Sequence, residues 1–410
     1  MALKQRKAVE VLACAILFFM AAASLMKAGT SAKGSGMGKE QLEQGWRVGQ
    51  PVTYQNLTIF PVLSASNLDT SEFATLDDAL ASGDALVTEQ GNYLRRNRDG
   101  VASPAVVTSN GAQVNQLVLV NRGKRPLLLL AGEVVSGGKQ DRIIGKDRLV
   151  PVGAAPLPLD VFCVEHGRWT GGSDKFVAGN TMVHPSVREK AAVEQDQSQV
   201  WEAVRAPGAA GGVGAAGGAL NGAISARADA PAPMISAETV TTEIESAAHT
   251  QSYRKIYQSS RVGNSVEEFT AEMERRFERA SRDLKGERVV GVVVAYGDEV
   301  VWSDDFASSE LFETYWPKLL RSYVVEALTR PATIERASLE DAQDFLHFRS
   351  VAMRNSDNPA FEKTGVHVNE ESEPGVYVWR EQSEGRKTEI RIEALMPKQI
   401  TLHWMKVATQ

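Results

Sequence analysis

Between residues 114 and 165 the chain lays down short apolar segments joined by links too short to hold a helix, and this most restricts its fold. Val114–Asn121, Pro126–Val135, Arg142–Val152 and Pro158–Glu165 read as strands. Asn-Arg-Gly, Ser-Gly-Gly-Lys and Gly-Ala-Ala-Pro punctuate them with the turn chemistry of hairpin-like connections. Parallel strands would need a crossover of about a dozen residues or more. An antiparallel sheet or a barrel-like core is therefore expected.

Helices surround that core. Val266, Phe269, Met273, Phe277, Ala280 and Leu284 recur every three or four residues opposite Glu and Arg, so 266–284 reads as an amphipathic helix. Leu311, Phe312, Tyr315, Trp316, Leu319, Leu320, Tyr323 and Val324 give 308–329 a broad apolar stripe, with Pro317 either kinking the helix or starting a new one. Thr75 to Asp78 opens a short helix that stops at Gly83, and Ser186 with Glu189 reads as a capping box. A further helical block covers 236–258, and Ser338 caps a helix to about His347. Val52–Ser66 reads as one or two strands, with Pro61 suggesting a sheet edge. Arg288–Ala295 and Glu299–Trp302 form a hairpin around Tyr296-Gly297-Asp298. Val376–Arg380, Ile390/Ile392 and Ile400/Leu402/Trp404 alternate with period two, a small C-terminal antiparallel meander. The fold class is α+β: an antiparallel sheet or barrel with packed helices, followed by that meander.

The ends and one insertion differ from this body. Lys4, Arg6 and Lys7 precede an apolar stretch from Val11 to Met26, the pattern of an export signal. Ala21-Ala22-Ala23 and Thr30-Ser31-Ala32 fit the small-residue cleavage rule; an uncleaved membrane anchor through 11–26 is the alternative. Sixteen helical residues span roughly 24 Å, short of a hydrocarbon core of about 30 Å. Either way, residues from about 33 onward are expected outside the cytoplasm. The expected order is thus a signal or anchor at 1–32, a tether at 33–50, a main domain at 51–330 and an α+β extension at 338–410. Residues 206–233, rich in Gly, Ala and Pro, form a loop-like insertion in the main domain.

Charge narrows the partners. The whole chain carries −6. Residues 1–32 hold four basic side chains and one acidic one, so the remainder carries −9. Such a body disfavours nucleic acid and anionic lipid over its general surface, and any anion site must be a local pocket. With two Cys and six scattered His, neither a disulfide framework nor a zinc centre is expected. No GxGxxG following a strand, and no P-loop, HExxH or GxSxG, occurs, so no cofactor is expected.

Two phrases concentrate the polar chemistry: Leu-Ala-Gly-Glu-Val-Val-Ser-Gly-Gly-Lys-Gln-Asp-Arg (130–142) and Val-Phe-Cys-Val-Glu-His-Gly-Arg-Trp (161–169). Gly137 and Gly138 permit positive φ and close backbone approach, and successive N–H groups in such a turn form anion nests. Lys139 and Arg142 add positive charge and Gln140 an amide. The alternative is a tight turn with solvated charges. Arg168 offers a bidentate fork and Trp169 a stacking face, unless Trp169 anchors a core and Arg168 pairs with a Glu. Glu133 is either a general base or ribose ligand, or an ion-pair partner of Arg142 or Arg168. In a strand Cys163 and His166 point to opposite faces, which disfavours a nucleophile–base pair and leaves Cys163 as a buried structural residue. Glu165, on the same face as Cys163, would raise the thiol rather than activate it. Asp304 and Asp305 stand between a strand and a helix, where N-capping accounts for at least one of them.

These phrases, together with Asp196-Gln197 and Val200-Trp201, resemble signatures of the ARG-and-Rhodanese-Phosphatase-superfamily-associated Protein domain family. The resemblance extends through 289–328 and covers most of 50–330; the 206–233 insertion and 338–410 fall outside it. The family carries no established reaction. Its association with ADP-ribosylglycohydrolases implies a role near ADP-ribose or related nucleotides. Two readings follow. One is an exported or tethered domain that binds an anionic, nucleotide-like ligand or a partner through Gly137, Gly138, Lys139, Gln140, Arg142, Arg168 and Trp169. The other is a hydrolase of phosphoester or N-glycosidic bonds, with Glu133 or Glu165 as base and Lys139 and Arg142 stabilising developing charge.

Overall fold

The computed structural model describes residues 45–89, 116–138, 140–164, 173–205, 236–250, 253, 260–282, 284–347, 367–368, 377–384, 387–394 and 400–408. Residues 1–32, expected to be an export signal or anchor, the expected tether up to 44 and the expected insertion 206–233 lie outside the described residues. Strands run β1 (Arg47–Val48), β2 (Val52–Tyr54), β3 (Leu57–Ser64), β4 (Ala74–Thr75), β5 (Ala85–Glu89), β6 (Gln116–Asn121), β7 (Leu127–Leu129), β8 (Glu133–Gly138), β9 (Arg142–Ile144), β10 (Arg148–Val150), β11 (Leu157–Cys163), β12 (Ser173–Met182), β13 (Arg288–Tyr296), β14 (Glu299–Phe306), β15 (His367–Val368), β16 (Tyr377–Glu384), β17 (Lys387–Ala394) and β18 (Ile400–Ala408). Helices are α1 (Leu76–Ser82), α2 (Pro185–Glu189), α3 (Gln197–Arg205), α4 (Ala237–Thr250), α5 (Ser260–Ala280), α6 (Ser309–Thr329) and α7 (Leu339–Leu346), with a π-turn at Lys190–Glu194 after α2.

The β-rich centre closes on itself. β11, β6, β5, β12, β8 and β9 form a closed antiparallel barrel. Val87, Leu119, Val135, Ile144, Leu159, Val161 and Phe176 belong to the apolar cluster that fills it, and Leu76 and Ala79 of α1 join them. The expected strand over 126–135 is two strands, because Gly132 (φ +93) turns the chain from β7 into β8. Arg142–Val152 likewise divides: β9 stays in the barrel, whereas β10 pairs with β7 in a three-stranded sheet with β4.

The second β layer is a long sheet in the order β1-β3-β13-β14-β18-β17-β16-β15, with β2 also on β3. The C-terminal meander is therefore continuous with strands from the other end of the chain: β18 pairs with β14 on one side and β17 on the other. Pro61 does not mark an edge, since β3 has neighbours on both sides. Its missing N–H is tolerated because β2 pairs with residues 57–59 and β1 with 62–63, leaving Pro61 between the two registers.

Helix α6 runs unbroken through Pro317. Both Pro317 and Glu313, whose carbonyl the proline leaves without its helical donor, lie on the exposed side. The opposite side, from Leu311 to Leu328, packs into the largest apolar cluster with Phe269, Met273 and Phe277 of α5. Ser308 caps α6, its Oγ accepting from Leu311 N at 3.1 Å. Asp304 and Asp305 are thus not capping residues. They sit inside β14, pointing to opposite faces of a sheet buried on both sides, and both are fully buried. Ser186 forms no capping box either. His184 is the N-cap of α2, and Ser186 Oγ donates to Glu326 Oε2 at 2.8 Å.

Candidate functional site

The Leu130-Ala131-Gly132-Glu133 turn is a junction. Ala131 N donates to Asp147 Oδ1 (2.7 Å), and Ala131 O accepts from Arg188 Nε (2.9 Å). A Cβ on Gly132 would lie 2.3 Å from Arg188 Cγ, so the glycine clears a path for that side chain. Arg188 then grips Asp304 with both terminal nitrogens, at 2.7 and 2.9 Å. Asp304 also accepts from Trp302 Nε1 (2.8 Å) and from Tyr323 OH. His403 Nε2 lies 3.0 Å from Asp304 Oδ1, and its Nδ1 lies 2.6 Å from Asp147 Oδ2. Burial alone would raise Asp304, but Arg188 and His403 hold it well below the usual carboxylate range. Burial opposes charging His403, yet Asp147 and Asp304 outweigh it and lift the imidazole to about 9. All of these side chains are sealed from solvent. The network holds barrel, α2 and sheet together.

Glu133 faces a second charged group. Its Oε2 accepts from Leu130 N at 2.6 Å, and its Oε1 meets Lys318 of α6. Lys318 also donates to Asp77 of α1 at 2.7 Å. Burial works against the ammonium, but Glu133 and Asp77 raise Lys318. Burial pushes the Glu133 carboxyl up, against the pull of Lys318. Asp77 and Lys318 line a cleft of about 420 Å³ with Asp78, Asn180 and Arg321. A second cleft of similar size shares Thr75, Asp78 and Thr314 with it.

Arg142 lies elsewhere, at the barrel rim. It pairs directly with Val135 of β8 and Cys163 of β11, in step with Ile144 and Val161, so its side chain enters the barrel. The residue is only 2% exposed. Nη1 donates to Gln140 Oε1 and to Asp141 O, both at 3.2 Å. Nε finds no acceptor, and among the described residues no carboxylate forms an ion pair with the guanidinium. The close approach permitted by Gly137 (φ +146) and Gly138 (φ +57) is to β12: a Cβ would lie 2.4 Å from Lys175 O at the first and 2.6 Å from Phe176 Cζ at the second.

Of the expected site residues, Gly137, Gly138, Gln140 and Arg142 come together at the rim. Glu133 sits at the other end of β8, bound to Lys318. Lys139, Glu165, His166, Arg168 and Trp169 lie outside the described residues. Cys163 is buried beside Arg142. Sequence reasoning did not foresee Asp77, Asp147, Arg188, Lys318 or His403, whose partners lie tens to hundreds of residues away. Among the described residues, no group of three or more His, Cys, Asp or Glu is disposed to hold a metal, and no helix is long and apolar enough to cross a membrane.

These features define an α+β domain with a closed barrel, an inward-facing arginine at its rim with no carboxylate partner among the described residues, and a separate buried charged network. The chain belongs to the ARG and Rhodanese-Phosphatase-superfamily-associated Protein domain family, whose sequence model matches residues 45–382. That match takes in the 206–233 insertion and part of the C-terminal segment. No curated protein and no solved structure matches the chain.

Proposed function

We propose that this chain is an anion-binding domain and that Arg142 at the barrel rim is the residue that grips the ligand. One observation carries the reading: a guanidinium this deeply buried has no counter-ion among the described residues. Burying a charge without a partner costs several kcal/mol on the order-of-magnitude scale for ions in proteins. Its engaged nitrogen is Nη1, which leaves the edge made by Nε and Nη2. That edge matches two oxygens of a phosphate or carboxylate bidentately. A nucleotide or ADP-ribose-like ligand has this chemistry. The basic and apolar pattern of residues 1–32 supports placing the domain outside the cytoplasm, secreted or tethered. Binding is favoured over hydrolysis because Glu133 is committed to Lys318 and Leu130.

Calorimetry with inorganic phosphate and ADP-ribose tests the proposal. The native chain is expected to bind at least one of them, and Arg142→Ala to weaken that binding about tenfold to a hundredfold, the scale of a charge-assisted hydrogen bond. Arg142→Met is expected to raise the melting temperature of the ligand-free protein while abolishing stabilisation by the anion, because it removes an unpaired buried charge. No binding of either anion, or unchanged affinity in Arg142→Ala, would overturn the reading.

A further inference from the structure

Asp196 and Gln197 stand out in the sequence, and nothing above uses them. Asp196 is the cap of α3: its Oδ1 accepts from Gln199 N at 2.9 Å, and its carbonyl accepts from Val200 N at 3.0 Å. The π-turn and a left-handed Gln195 (φ +53) bring the chain to that cap. Gln197, the first helical residue, sends its amide to the barrel. Its Oε1 accepts from Cys163 N and its Nε2 donates to Cys163 O, both at 2.9 Å.

One side chain therefore satisfies both backbone groups of one residue, as a neighbouring strand would. β6 pairs with β11 from Leu157 to Asp160, and Gln197 continues that ladder at Cys163. Because Cys163 turns its N–H and C=O toward Gln197, its pairing with Arg142 on the other side is of the kind without hydrogen bonds, in which the two side chains stand closest. The height of β11 at Cys163 thus sets the wall against which the Arg142 side chain rests.

We infer that Gln197 is a positioning residue of the rim site, holding Arg142 in register through Cys163. The inference rests on the anion-binding reading of Arg142. Gln197 touches no ligand. It acts on the angle and depth at which the guanidinium edge is presented, and a bidentate contact is sensitive to both.

The test is a double-mutant cycle on the full chain, with inorganic phosphate titrated calorimetrically. Gln197→Ala is expected to weaken phosphate binding about tenfold in the native background and less than about twofold in Arg142→Lys, whose point charge has no fork to misalign. A role in folding alone would weaken both backgrounds equally or neither. Gln197→Glu, which keeps the acceptor for Cys163 N but loses the donor to its carbonyl, is expected to give a loss of the same sign and serves if the alanine variant does not fold. Native-like affinity in the Gln197 variants, with Arg142→Ala still impaired, overturns this inference and leaves the reading of Arg142 standing. Equal losses in both backgrounds also overturn it. Native-like affinity in Arg142→Ala overturns the reading and the inference with it.

Discussion

Asp304→Ala is expected to destabilise the folded protein by about 3–5 kcal/mol, the range for removing one partner of a buried ion pair. Five donors converge on that carboxylate: two from Arg188 and one each from Trp302, Tyr323 and His403. Removing it leaves the Arg188 guanidinium buried with Ala131 O as its remaining hydrogen-bond acceptor. The Trp302 ring, 4.9 Å from the Arg188 Cζ, offers a cation–π contact but no second charge. Single domains are stable by about 5–15 kcal/mol, so this one change removes a large part of the total. Asp160→Ala provides the comparison. Its bridge to Arg148 is 2.8 Å long, but the Asp160 side chain is 55% exposed. Exposed pairs contribute about 0–1 kcal/mol. Urea unfolding of the two variants separates them. A difference between them under about 1 kcal/mol would mean that the buried network does not hold barrel and sheet together, whatever its geometry.

Why the sequence hid this network is a matter of period and distance. The stripe from Val266 to Phe277 was legible because one face of α5 meets apolar side chains and the other meets water. The same holds for the turn at Tyr296-Gly297-Asp298, where β13 gives way to β14. Strand β14 is different. Both of its faces are buried, so the alternation that identifies a half-exposed strand is absent, and Asp304-Asp305 reads as a break. Pairing across the fold is also invisible to local reasoning. Arg188 meets Asp304 across 116 positions, and His403 meets Asp147 across 256. At the rim, the glycines, Gln140 and Arg142 were legible as a polar cluster because they are neighbours in sequence. Gln197 was visible only as part of a resemblance, since its reach to Cys163 depends on a π-turn and a left-handed residue that no propensity specifies. The Leu-Ala-Gly-Glu phrase looks chemical in sequence, yet each of its last three residues has a packing role: Ala131 bridges Asp147 and Arg188, Gly132 makes room, and Glu133 receives Lys318.

The stabilising contribution of His403 should vanish in mild alkali. Both ring nitrogens face carboxylates, so both must donate, which requires the imidazolium. Folding raises this group from 6.5 to about 9. The native state therefore keeps a proton that the unfolded chain releases first, and stability falls as pH rises between those values. The contribution is fully present below pH 6.5 and lost as pH passes through about 9. A shift of this size corresponds to about 3 kcal/mol. Other buried groups titrate nearby. Asp305, on the opposite face of β14, is raised to about 7 by burial against the pull of Lys406, and it adds a loss in the same direction. His184, pushed down by burial although Glu326 pulls it up, works in the opposite sense. Comparing the native chain with His403→Gln across pH cancels most of both, because each is present in the two proteins. The native chain is expected to be more stable than His403→Gln by the widest margin near pH 6, and that margin is expected to shrink by about 3 kcal/mol by pH 10. A margin that stays constant over this range would show that His403 is neutral in the folded state. The single N–H of a neutral imidazole would then serve only one of Asp147 and Asp304, leaving the other to its remaining donors.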